Sequence, residues 1–450
     1  MPPPSRGRLE TQKTKEVIKM LYSNLTVNAQ GHLAIAGYDT VELAKKYGTA
    51  LFVLDEDKLR ENCAVYVNSM KKYFGEDALP LFASKALCFT GLYRLVDECG
   101  MGTDIVSAGE LYTAIKAGFP LEKAFFHGNN KTDADIEYAI ENGLGYFVVD
   151  NEEELAAISE IAGEHGVMQK ILLRITPGID PHTHKAVVTG SVDSKFGSAI
   201  ETGRAYEMVE MALSAKNILL EGFHCHIGSQ IFECEPFCDA ADIMLGFIAD
   251  VKAKYGFEAK ILNLGGGFGV RYTENDPQID IEANIREVAA HVKARAAELS
   301  VAMPKILMEP GRSIVANTCI TLYTVGSVKE IGDIKNYVSV DGGMPDNPRY
   351  ALYGSAYTIV LANRAAEAAD FKCSIAGRCC ESGDLLQEDV MLPRPKRGDI
   401  LAVLVTGAYN YSMASNYNRL PRPAIVMVSK NGEKIAVKRE TFADLCLCDE

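Results

Sequence analysis

The chain has 450 residues, 46 of them Lys or Arg and 60 Asp or Glu, for a formal net charge of −14. That balance speaks against nucleic acid or an anionic membrane as a partner, because both call for a basic footprint. The length allows two or three domains with a core large enough to need no disulfide staples, and the 12 cysteines follow no framework and no paired CxxC spacing. No apolar run has signal-peptide or membrane-spanning length, so a reducing cytoplasm is the expected location.

Residues 1–15 read as a polar, Pro-rich tail, and 16–50 as a segment with one short strand (HLAIAG, 32–37) and a short helix. From residue 51 short apolar strands alternate with amphipathic helices. In order the strands are LFVLD, LPLFAS, TDIV, KAFFHG, GYFVVD, KILLRIT, the GFHCHIGSQ stretch at 222–230, KILNLG and KILMEP. Alternation of this kind predicts a parallel sheet with helices outside it. An eight-stranded barrel leaves one strand over, and LFVLD is assigned to a lead-in. An open dinucleotide-binding sheet is the alternative, but its glycine fingerprint is missing from the first strand-to-helix turn. Beyond Arg312 the runs are strand-like, broken by Gly, Pro and Asn. The expected architecture is α/β: a TIM-type (β/α)8 barrel over 51–312, then an all-β domain over 313–450 that also takes up the N-terminal strand.

Catalytic residues of such barrels sit at the C-terminal ends of the strands. Those ends carry Lys85, His226 with Ser229, the run Gly265, Gly266 and Gly267, then Glu309, Gly311 and Arg312. Each has a plain structural reading: a solvated lysine, a core histidine, a tight turn, a salt-bridge carboxylate. Together they match one chemistry. A lysine at an apolar strand end forms a Schiff base once desolvation lowers its pKa. Amides of a Gly-rich turn with a serine hold a phosphate. A carboxylate keeps a pyridine nitrogen protonated, and an imidazole stacks on the ring. Pyridoxal 5′-phosphate uses all four. The HxH pair His224 and His226 also occurs in metal hydrolases, but there it opens the barrel; here it comes late, and no metal is expected.

FASKA (82–86), TGSVDSKFG (189–197), HCHIGSQ, LGGGFG and EPGRSIV together resemble the barrel-type pyridoxal-phosphate-dependent decarboxylases. CCESGDLL (379–386) and GAYNYSMASNYN (407–418) narrow the resemblance to the branch that decarboxylates diaminopimelate to lysine. It covers nearly the whole chain. It implies that Lys85 carries the cofactor covalently, that His226 stacks on its ring and that Glu309 faces its pyridine nitrogen. Ser229, Gly266, Gly267 and Gly311 would hold the phosphate, with Arg312 and Tyr409 nearby. Arg312, Arg349, Tyr353 and Tyr409 would bind the amino-acid substrate, the arginines taking its far carboxylate. Cys380 would supply a proton and Glu381 would read the distal amine, both from the partner subunit of a homodimer. Asp104 matches a position near the cofactor. The chain departs from the common pattern at Ser84, Leu87, Arg378 and Thr176, none of which removes a group the chemistry needs. Related decarboxylases of ornithine, arginine or carboxynorspermidine are the alternative, although an aspartate commonly follows the cysteine there. A non-catalytic relative that binds the cofactor is another; such a protein usually lacks the lysine, the cysteine or the phosphate loop.

Overall fold

The computed structural model describes residues 20–179 and 194–450. The tail at 1–15 and most of the TGSVDSKFG stretch therefore lie outside the described residues. Eight parallel strands close into a barrel: β1 (Leu79–Ala83), β2 (Gly102–Ile105), β3 (Ala124–Phe126), β4 (Tyr146–Val149), β5 (Gln169–Thr176), β6 (Ile218–His224), β7 (Ile261–Asn263) and β8 (Lys305–Met308). Pairing of β4 with β5 and of β8 with β1 completes the ring. Helices follow the strands on the outside, and half of their N-termini are held by a side-chain oxygen. Ser107, Thr132, Asn151 and Asp280 each accept a backbone N–H of the first turn.

The barrel interior shows why the site lies where it does. Side chains alternate in and out along a strand, and inward residues of neighbouring strands stack in layers. Leu81, Phe125, Val148, Leu172, Ile261 and Leu307 pack together as one apolar layer, apart from the larger core between barrel and helices. Two residues further along the same strands stand His127, Asp150, Arg174, Asn263 and Glu309, with Asp104 and His224 on the neighbouring strands. The layer nearest the C-terminal face is thus polar and buried, directly above an apolar floor.

The second domain is built on the long strand Cys319–Ile331, which pairs with Leu51–Asp55 and Ile400–Val403 at one end and with Lys335–Val340 at the other. Leu51–Asp55 also runs parallel to Ala424–Ser429. This is the surplus strand, and it belongs to the β-domain. The boundary expected at residue 51 therefore moves, because the chain enters the barrel only with the helix Glu56–Phe74. The physical reason is that LFVLD is buried along its whole length between two partner strands, which the barrel rim does not offer. Leu25–Val27, Leu33–Ile35 and Tyr38–Asp39 form a small antiparallel sheet of their own. Among the described residues no helix is long and apolar enough to cross a membrane.

Candidate active site

A cavity of about 600 Å³ opens at the C-terminal face of the barrel, a size suited to a cofactor or small ligand. Lys85 reaches it from a single 3₁₀ turn, Ser84–Ala86, at the end of β1. The turn is fixed from both sides. Ser84 Oγ lies 2.7 Å from the Asp104 carbonyl and from Glu110 Oε2, and the Tyr409 N–H donates to the Ala86 carbonyl at 2.7 Å. Tyr409 holds a left-handed conformation, φ 65°, to make that bond, which costs a non-glycine residue about 1–2 kcal/mol. The serine that departs from the common motif is thus the residue that ties the lysine turn to β2.

Burial alone would lower the Lys85 pKa, as the sequence led one to expect. In the structure the opposite direction wins: the charges of Asp104, Tyr409 and Glu309 raise it above the ordinary lysine value. Asp104 is itself pushed up by burial, against the pull of His127 and Lys85, and its Oδ1 is buried without a hydrogen-bond partner among the described residues.

Glu309 is the most constrained group. His127 Nε2 lies 3.0 Å from its Oε1, His224 Nε2 3.2 Å from its Oε2, and Asn263 Nδ2 donates to Oε1 at 2.7 Å. Burial would raise its pKa, but the two histidines outweigh burial and hold it well below the usual range. A carboxylate offers about four lone-pair sites; His224 and Asn263 hydrogen-bond to two of them, His127 Nε2 is close without hydrogen-bond geometry, and Glu309 keeps acceptor capacity toward the cavity it lines. His127, His224 and Glu309 also place ligand atoms within 4.8 Å of one another, a spacing open to a metal ion. Asn263 Nδ2, a donor directed at Glu309 while its Oδ1 accepts the Gly265 N–H at 2.9 Å, favours reading the site as N–H groups around an anion.

Burial drives the His224 pKa from 6.5 to about 4, with Glu309 opposing. The unfolded chain therefore takes up this proton first as pH falls. Stability from the neutral ring is complete above pH 6.5 and is lost toward pH 4, by about 3 kcal/mol. His224→Asn, which keeps an N–H for Glu309, should flatten the fall of the urea midpoint across that window by about one proton's worth of slope. An unchanged slope would clear His224 of the effect.

His226 lines the cavity, and its Nδ1 accepts the Gly266 N–H at 3.3 Å. Its proton therefore sits on Nε2, consistent with a pKa driven well down by burial and by Lys85. Around it the backbone comes close to itself. A Cβ on Gly266 would stand 2.1 Å from the Glu309 carbonyl, one on Gly267 2.8 Å from that of Gly228, and one on Gly311 2.9 Å from Ala83 Cβ. Ser229 Oγ accepts from Arg312 Nε and Nη2 at 3.2 and 3.0 Å, and Arg312 Nη1 donates to the Tyr272 hydroxyl at 2.8 Å.

Arg312 and Arg349 face the Tyr409 ring at 4.9 and 5.4 Å. The Arg349 Nε is buried with no hydrogen-bond partner among the described residues, while its Nη2 is 3.5 Å from Ser355 Oγ. Tyr353, 5.2 Å from the Arg349 guanidinium, also lines the cavity. Every cofactor and substrate residue expected from the sequence therefore converges here except two. Cys380 and Glu381 are exposed and line no part of this cavity. Their turn is set by buried Asp384, which accepts the N–H groups of Met344 and Cys379 at 2.7 and 2.8 Å. His127, Asn263 and Arg174 went unnoticed in the sequence, although the period-two alternation followed through every strand would have found all three.

Residues 58–316 match the model of the pyridoxal-dependent decarboxylase pyridoxal-binding domain. The chain is 48% identical to diaminopimelate decarboxylase of Bacillus methanolicus, over 94% of this chain and 98% of that one. It is 46% identical to that of Bacillus subtilis, over 95% and 98%. Diaminopimelate decarboxylase of M. jannaschii, solved in co-complex with L-lysine, superposes with a TM-score of 0.88 at 35% identity, over 95% and 98% of the two chains. A lysine/ornithine decarboxylase of Vibrio vulnificus, at 23% identity and a TM-score of 0.70, shares the fold.

Proposed function

Since the chain belongs to the diaminopimelate decarboxylases of the pyridoxal-dependent decarboxylase family, we propose that it removes one carboxylate of meso-2,6-diaminopimelate as CO2 and releases L-lysine. The observation that carries the reading is the meeting, in one cavity, of Lys85, an ionised Glu309 and a bare-backbone cradle, with two guanidinium groups across from them.

The residues fit pyridoxal phosphate. Gly266, Gly267 and Gly311 leave backbone where a Cβ would collide, and Ser229 with Arg312 adds a hydroxyl and a fixed cation, together a phosphate seat. Glu309 would be the partner for a protonated pyridine nitrogen, and His226 presents a neutral ring to the same cavity. When bound, the cofactor supplies the sink that accepts the electron pair left by departing CO2. The protein's share is electrostatic and geometric. His127, His224 and Asn263 keep Glu309 ionised and immobile, so its charge needs no reorganisation during reaction. Lys85 would hold the cofactor covalently through its amine.

The substrate carries an amine and a carboxylate at each end, so recognition must come at the far centre. Arg349, whose Nε has no hydrogen-bond partner among the described residues, and Arg312 suit a carboxylate there. Arg349→Leu is expected to raise KM about 100-fold with a smaller change in kcat, since it leaves a desolvated carboxylate without its partner. A KM within twofold of the parent would remove Arg349 from this role. Glu381 in place of an aspartate favours diaminopimelate over ornithine or arginine.

Cys380 as proton donor and Glu381 as reader of the distal amine require a second subunit. Support comes from the exposed apolar side chains Tyr353 and Met413, which line the cavity, with exposed Leu352 and Tyr417 near them in the chain, and from the Cys380 N–H bonded at 2.7 Å to Asn418. The proposed active unit is a two-fold dimer with shared sites. It would work in the cytoplasm, where its 12 free thiols stay reduced. The direct test is CO2 release by purified protein with added pyridoxal phosphate, with meso-diaminopimelate, ornithine and arginine offered separately. Release from diaminopimelate alone is expected; a preference for ornithine or arginine would move the protein to the neighbouring specificity.

A further inference from the structure

Among the described thiols, two pairs lie outside the active cavity, Cys63 with Cys99 and Cys234 with Cys238, and in the second both thiols are partly exposed. Cys234 precedes the helix Glu235–Tyr255 and Cys238 lies one turn into it, with their Sγ atoms 3.6 Å apart. The turn is regular, for the Cys238 N–H donates to the Cys234 carbonyl at 3.2 Å. Both thiols are partly exposed, and the Cys234 Sγ also lies 3.9 Å from the Asn284 carbonyl on the facing helix, Ile281–Glu298.

The sulfur–sulfur distance discriminates between two chemistries. A disulfide needs sulfurs about 2.05 Å apart and Cβ atoms about 3.5–4.5 Å apart. Residues four apart on a helix keep their Cβ atoms roughly 5–6 Å apart, so oxidation would have to unwind the first turn. Two thiolates on one tetrahedral ion, each at about 2.3 Å, stand roughly 3.7–3.8 Å from each other. The pair as built already has that bite.

We propose that Cys234 and Cys238 form a two-thiolate chelate for a single soft, thiophilic metal ion, at a site independent of the decarboxylation centre. Binding is ligand exchange without redox change: the ion enters between the sulfurs, both thiol protons leave to solvent, and water with the Asn284 carbonyl fills the remaining positions. Thiolate pairs select soft ions such as Cu(I), Zn(II) or Cd(II) over hard ones. The hydrogen bond between the two sulfurs lowers the Cys238 pKa and raises that of Cys234, so the site rests on its geometry and the ion must displace both protons.

The test uses Cd2+ alone, titrated into reduced full-length protein and followed by thiolate-to-metal absorbance in the ultraviolet. The background is Cys446→Ser with Cys448→Ser, which removes the exposed thiols near the C-terminus. Adding Cys234→Ser and Cys238→Ser should remove about one equivalent of absorbing Cd2+; an unchanged stoichiometry overturns the site. Alkylation of the unsubstituted protein by iodoacetamide gives a second readout. Cd2+ should protect Cys234 and Cys238 together, whereas protection of neither or of only one, or their recovery as a disulfide, overturns it.

Discussion

Lys85→Ala protein is expected to lose at least about 10³-fold in turnover, roughly 4 kcal/mol, and to release pyridoxal phosphate on gel filtration with no visible absorbance of a covalently held cofactor. The charge environment explains why no neighbour can take over. Asp104 and Glu309 favour the protonated ammonium, and among the described residues lining the cavity the other cations are guanidinium groups, which do not act as amine nucleophiles. Lys85→Arg preserves the charge and should be as inactive, which separates loss of chemistry from loss of electrostatic balance. A spectrum matching the parent's would remove Lys85 from its role.

Cys380→Ala should slow turnover by about 10²–10⁴-fold, the range for a missing proton donor, with KM little changed because the thiol is not asked to bind substrate. The more telling result comes from mixing. If Cys380 serves the cavity of the other subunit, dissociating and reassociating equal amounts of Cys380→Ala and Lys85→Ala subunits gives mixed dimers with one intact site. About a quarter of parental activity should return from two inactive proteins. Failure to recover activity, with mixed dimers demonstrated, would mean that each subunit completes its own site. The exposure of Cys380 and its absence from the cavity walls motivate the experiment.

The two experiments probe regions that were legible to different degrees. Lys85, His226, Glu309 and the glycine run could be placed on one face because strand ends of a parallel barrel must converge there. The support of Glu309 was not legible in the same way. His127 and Asn263 end strands whose motifs, KAFFHG and LNLGG, look like ordinary apolar strands with one polar residue. Only closure of the ring brings them within 3.0 and 2.7 Å of one carboxylate. The Lys85 pKa depends on the fold for a related reason. Burial is visible in an apolar motif, but the groups that override it, Asp104, Tyr409 and Glu309, are separate from it in the chain.

The HxH pair illustrates the division well. Alternation alone put His224 and His226 on the same side of β6. It could not say that the lower ring grips Glu309 while the upper one faces the cavity, since that depends on the height of each within the barrel. What the sequence by itself determined is local: the strand and helix rhythm, the glycines where backbone meets backbone, and the identity of the reactive groups. The tertiary structure decided which strand joins which sheet, as with Leu51–Asp55, and which charges face one another. Those outcomes rest on pairings between residues far apart in the chain, and no local pattern encodes the direction of a field summed over eight strands.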